Sequence, residues 1–175
     1  MIKQSRITLA VALAAAGLAL PGIGMAATAT ATSTSTVITP IAITNTANLS
    51  FGSIAAGATT GTVTVSPNGT RNVSGGAVAA GGTATAAQFN VTGQTGLTYG
   101  IDFTGTSATL TSGSDTMTFA TVSDVTASAI TSGNASAGTL TGGAQTIYVG
   151  GSLAVGANQN AGTYTGTISV AVNYN

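Results

Sequence analysis

The chain has 175 residues and a mass of 16.6 kDa, about 95 Da per residue where average globular usage gives roughly 110. Charged side chains make up only 3% of it (Lys3, Arg6, Arg71, Asp102, Asp115 and Asp124), and His, Cys, Trp and Glu are absent. That inventory excludes zinc, haem and iron–sulfur sites, Cys–His and Ser–His catalytic pairs, and a basic nucleic-acid footprint.

Residues 1–26 have the form of a secretory signal peptide. Lys3 and Arg6 supply a positive start, Ile7–Leu20 is apolar except for Thr8, and Gly24-Met25-Ala26 offers small residues for cleavage. The apolar run of 14 residues is short of the roughly 20 that span a bilayer. The expected location is therefore secreted, at the cell surface or outside the cell. Cleavage after Ala26 would leave Arg71 against three aspartates, a net charge of −2, with no lysine.

From Ala27 the pattern has period two, as half-buried strands require. Residues 27–36 alternate alanine or serine with threonine, a strand-competent extension with no bulky apolar residue. The expected domain is 37–175. Val37, Ile41 and Ile43 share one face of its first stretch, and Leu49 with Phe51 predicts a short strand. Val63 and Val65 precede a Pro67-Asn68-Gly69 turn, after which Arg71–Ser74 is expected to return as a hairpin partner. Phe89 and Val91 alternate with polar neighbours, and Leu97, Tyr99, Ile101 and Phe103 form a four-residue stripe. Leu110 and the pair Met117 and Phe119 flank a polar turn, Ser112–Asp115. The stretch 123–142 reads as loop. Ile147, Val149, Leu153 and Val155 follow, and the last pattern runs through Ile168, Val170, Val172 and Tyr174. Eight to ten short strands joined by Gly, Ser and Asn turns predict an all-β sandwich.

Secreted sandwiches protect their edge strands with lysine, inward charge, proline or bulges. Beyond residue 26 this chain has no lysine, and its prolines are Pro40 and Pro67. Such edges are expected to pair, strand to strand, with a second copy. A donated strand would come from the Ala27–Thr36 extension, relying on its backbone hydrogen bonds, with Val37, Ile41 and Ile43 as apolar plugs. The sequence leaves open whether Val37–Ile43 is that donor or the first strand of the body.

Gly162, Tyr164, Ile168, Val170, Val172 and Tyr174 together resemble the end of pilin subunits of the chaperone–usher route, with a glycine fourteenth from the end and a penultimate aromatic. Leu49-Ser50-Phe51-Gly52 resembles the early L-x-F-G stretch of archaic, spore-coat-U-like pilins. Phe89-x-Val91 and Gly150-Gly151-x-Leu153 resemble segments of a related family of secreted bacterial domains. The resemblance implies an incomplete immunoglobulin-like sandwich completed by a donated N-terminal strand. It also implies self-association into a fimbria, with a periplasmic chaperone and an outer-membrane usher as partners. Many such pilins have a disulfide, and this chain has no cysteine.

Other candidate sites carry less. Asp102, Asp115 and Asp124 lack calcium-loop spacing, and aspartate is common in turns. Five N-x-S/T triplets, at Asn48, Asn68, Asn72, Asn90 and Asn134, are unsurprising in so Asn-, Ser- and Thr-rich a chain. Tyr164 fits a tyrosine corner. Tyr99, Tyr148 and Tyr174 suit strand packing better than a sugar-binding surface. The expected role is a structural subunit of a surface filament, with no catalytic, cofactor or metal site and no small-molecule substrate. The alternative is a monomeric surface-binding or adhesin-like domain.

Overall fold

The stretch Thr62–Val65 alternates threonine with valine. Both are β-branched and suit a pleated surface with one dry and one wet face. A computed structural model describes residues 26–175, so all of the expected signal peptide except Ala26 lies outside the described residues. Residues 26–36 are exposed and carry no regular secondary structure.

The body, Val37–Asn175, is an all-β sandwich of two antiparallel sheets. The strands are β1 (Ala42–Ala47), β2 (Ile54–Val65), β3 (Arg71–Ala79), β4 (Ala87–Thr92) and β5 (Thr98–Asp102). They continue as β6 (Thr109–Ser112), β7 (Asp115–Asp124), β8 (Ala137–Thr139), β9 (Ala144–Val155) and β10 (Ala171–Tyr174). The larger sheet runs β1-β4-β9-β2-β3, with β7 also on β9 and β6 on β7, and the smaller runs β10-β5-β8.

The hairpin expected around Pro67-Asn68-Gly69 forms, with Val65 opposite Arg71. Its turn is closed by the Ser66 amide donating to the Thr70 carbonyl at 2.9 Å. The polar turn between β6 and β7 forms as well, pairing Ser112 with Asp115.

Strand β9 organises the larger sheet. Along one edge it pairs first with β4, through Ala144–Val149, and then with β2, through Gly151–Val155, while β7 occupies the other edge. The hand-over falls at Gly150-Gly151. A Cβ on Gly150 would strike the Val65 carbonyl oxygen, and one on Gly151 would strike the Phe119 ring, so no other residue fits without separating the strands.

This arrangement divides the interior into two clusters. One holds Val91, Tyr99, Ile101, Leu140, Ile147 and Val149 between the two sheets. Tyr99, wholly buried there, donates its hydroxyl to Gln145 Oε1 at 2.9 Å. Burial raises its pKa above the usual tyrosine value. The other cluster holds Phe51, Val63, Val65, Met117, Phe119, Leu153 and Val155, with Phe51 and Phe119 edge to face at 6.1 Å.

Four local expectations differ from the structure. The stretch 123–142, read as loop, holds the end of β7 and the short strand β8, which pairs with β5 and is followed by the wholly buried Leu140. The strand read at Leu49 and Phe51 is a single bridge, Ser50 to Thr85, because Gly52 turns the chain with a φ of 70°. β2 begins at Ile54, eight residues before Thr62, in a run of small residues whose alternation has no contrast to read. The last ladder starts only at Ala171, although the apolar alternation begins at Ile168.

Candidate functional site

The missing part of that last ladder borders a groove. From Thr165 to Ser169 the chain is held along one side only. Thr165 exchanges main-chain hydrogen bonds with Thr111, Ser107 donates its amide to the Thr167 carbonyl, and the Thr106 hydroxyl bonds Ser169. Odd-numbered residues thus face the β5–β6 connection and β6. Along the other side Tyr164, Gly166, Ile168 and Val170 make no main-chain hydrogen bond to another main-chain group among the described residues. Among the described residues no strand lies beside it there.

A second open edge faces the same groove. β2 is paired to β3 from Ile54 but reaches β9 only from Gly61. Among the described residues Ile54, Ala55 and Ala56 therefore have no strand on the side away from β3, and all three line the groove. The groove has a volume of about 980 Å³. Its floor is apolar, made by Leu110, Met117, Phe119, Leu153 and Val155 with Phe89. Most of these belong to the second cluster and are buried, so the groove lies against that half of the core.

Both ends of the segment are fixed. At one end the Tyr164 hydroxyl donates to the Asn160 carbonyl at 2.8 Å and accepts from Gln159 Nε2 at 2.8 Å, the back-bond of a tyrosine corner. Asn160 Nδ2 in turn donates to both Asp115 carboxylate oxygens, at 3.0 and 3.1 Å. Gly162 lies against Ser112, where a Cβ would strike the Ser112 hydroxyl. At the other end the Tyr174 hydroxyl donates to the Thr39 carbonyl at 2.8 Å and accepts from the Gln94 amide at 2.6 Å. Ile168, Val170, Val172 and Tyr174 all pack on the first cluster, and Ile168 with Tyr164 also reaches the second.

The strand-donor candidates separate. Ile43 lies in β1 opposite Val91, and Ile41 packs on the first cluster just before it. Val37 is 93% exposed and Ile38 is exposed as well. In this structure, therefore, the stretch from Ile41 is part of the body.

None of the three aspartates lines the groove: Asp102 and Asp124 serve turns, and Asp115 holds Asn160 at its edge. The Asp102 carboxylate accepts from the Thr104 hydroxyl at 2.6 Å and its amide at 2.8 Å, which holds its pKa below the usual carboxylate value. Asp124 accepts from the Val125 amide and the Thr126 hydroxyl, both at 2.7 Å. Among the described residues no group of three His, Cys, Asp or Glu side chains is placed to hold a metal ion. Sequence reading missed the groove and its β2 edge. It also missed Arg71, whose guanidinium braces that edge by donating to the Phe51 and Gly81 carbonyls.

Residues 41–174 match the family described as a domain of unknown function, DUF4402, and the chain belongs to that family. Residues 27–36 lie outside the match. No curated protein and no solved structure matches the chain.

Proposed function

We propose that this DUF4402 chain is a secreted structural subunit that polymerises by strand complementation, its groove receiving the Ala27–Thr36 segment of a second copy. One observation carries the reading: a groove of about 980 Å³ with an apolar floor, flanked by two β-edges that have no neighbour among the described residues. Open edges beside an apolar floor are what β-augmentation uses, with main-chain hydrogen bonds supplying adhesion and side chains supplying register.

The occupant follows from length and side-chain size. The free edge from Tyr164 to Val170 is about 23 Å long at 3.3 Å per residue, and the ten residues of Ala27–Thr36 extend to about 33 Å. The groove floor already carries two aromatic rings and the Met117, Leu110 and Leu153 side chains. A strand presenting Ala27, Ala29 and Ala31 sets only small side chains against those bulky residues. Its threonines on the opposite face favour the extended backbone and meet water. Val37, exposed and on the same face as the alanines, adds one apolar plug at the end. Neither the segment nor the two edges contains lysine or proline, the usual guards against such pairing.

The role is mechanical, and it places the chain at the cell surface. Deleting Ala27–Thr36 tests it. The full chain is expected to give a concentration-dependent series of oligomers by size-exclusion chromatography with light scattering, and the deletion variant a folded monomer. A full chain that stays monomeric when concentrated would contradict polymerisation and favour a monomeric surface-binding domain.

A further inference from the structure

Arg71 is the one cationic side chain among the described residues, yet it makes no ion pair there. It stands first in β3, opposite Val65, and is half-buried. Its Nη1 donates to the Phe51 carbonyl at 2.9 Å and to the Gly81 carbonyl at 3.1 Å. Both acceptors lie in turns, one leading into the groove edge of β2 and one leading out of β3.

These turns also meet through their backbones. The Ser53 amide donates to the Gly81 carbonyl at 2.9 Å, and the Ala80 amide donates to the Ser53 carbonyl at 2.9 Å. Gly81 thus accepts from both Ser53 and Arg71. Gly52 makes the convergence sterically possible. Its φ of 70° lies in the left-handed region, and a Cβ there would strike Nη1. Phe51 and Gly52, at this guanidinium, line the groove, as do the next two residues, Ser53 and Ile54.

We infer that Arg71 is a positioning residue for the groove: it latches the Phe51–Ile54 rim to the β3–β4 turn and so presents the open β2 edge in a fixed register. This rests on the strand-accepting reading of the groove. Both bonds leave one nitrogen, Nη1, whose two N–H groups are fixed in the guanidinium plane and so hold the two carbonyls in a set direction. A lysine ammonium also has N–H donors for both carbonyls, but it rotates on a flexible stem and fixes no such plane. Methionine fills much of the same volume and bonds neither carbonyl.

The test compares the full-length chain with Arg71→Met and Arg71→Lys. Hydrogen exchange reads the Ser53 and Ala80 amides, and sedimentation velocity reads the concentration at which subunits associate. In folded Arg71→Met both amides are expected to exchange about tenfold faster, and the association midpoint to rise about tenfold, as befits loss of charge-assisted bonds. Arg71→Lys is expected to fall between, and it carries the comparison if Arg71→Met does not fold. A purely structural arginine would lower stability in denaturant without moving the association midpoint of the folded protein. Unchanged exchange at Ser53 and Ala80, or an unchanged midpoint, overturns the latch. Absence of any association by the unsubstituted chain overturns the strand-accepting reading itself, and with it any role for Arg71 in docking. In that event the exchange of Ser53 and Ala80 separately decides whether the rim is held.

Discussion

The half of the interior around Ile147 and the half around Phe119 share β9, and they end differently. Around Ile147 the second sheet covers the larger one, so Tyr99, Leu140, Ile147 and Val149 are sealed between them. Around Phe119 the core is buried as well, but Tyr164 and Ile168, which pack on it, belong to a segment bonded along one side. Among the described residues, then, one half is closed by paired strands and the other is bordered by a segment with an unpaired main-chain edge. Completing a β-sandwich therefore depends on neighbours at each edge as much as on an alternating sequence.

The largest expected effect breaks the closed half. Ile147→Ala removes a wholly buried side chain from between two sheets and is expected to cost about 3 kcal/mol in urea unfolding. Met117→Ala, at the groove floor, is expected to cost about 2 kcal/mol, since its surroundings have space to relax. Equal losses would erase the contrast between the halves. Next comes the junction the halves share. Gly150→Ala forces β2 and β9 apart at the Val65 carbonyl and is expected to cost about 2 kcal/mol by the same measurement.

A smaller effect sharpens the comparison at the end of the groove segment. Tyr174→Phe leaves the Thr39 carbonyl and the Gln94 amide without their partner, at about 1–2 kcal/mol. Exchange at Gln94 should accelerate, while exchange at Thr111, which is bonded at the other end of the segment, stays as it was.

The smallest effect is that of pH. With no histidine or glutamate, stability is expected to be flat from about pH 5 to pH 9. Asp102, whose folded pKa is lowered, contributes stability above its unfolded value of about 4, which is lost as pH falls through the lowered value. Tyr99, whose folded pKa is raised, contributes fully below about pH 10, and the contribution is lost as pH rises through the raised value. Denaturant titrations across this range give the curve. A transition near pH 6–7 would contradict the assignment.

The closed half was the more legible in sequence, for a physical reason. Val91, Tyr99, Ile101, Ile147 and Val149 sit on stripes with polar alternates, and burial on one face writes that contrast directly. β2 begins in Ala, Gly and Thr, whose sizes differ too little to mark a face. The apolar stripe from Ile168 to Tyr174 is real, and its side chains pack inward as the pattern implies. Whether a neighbour exists along Tyr164–Val170 is decided by topology, which no local pattern encodes. Tyr164 was legible because a tyrosine corner is local, its hydroxyl reaching back four residues to Asn160. Arg71 was not, since its acceptors are carbonyls 20 and 10 positions away rather than a carboxylate partner.

The native chain contains no cysteine, so a disulfide can report directly on the occupant of the groove. Chains carrying Thr30→Cys, Thr32→Cys or Thr34→Cys would each be mixed with chains carrying Thr167→Cys, on the exposed side of the open edge, and oxidised. If Ala27–Thr36 of one copy lies in the groove of another, at least one mixture forms an intermolecular disulfide in high yield. Cross-strand neighbours lie about 4.5–5.5 Å apart, within reach of that bond. Yields no higher than those with an exposed Thr126→Cys control, across all three mixtures, would contradict strand complementation.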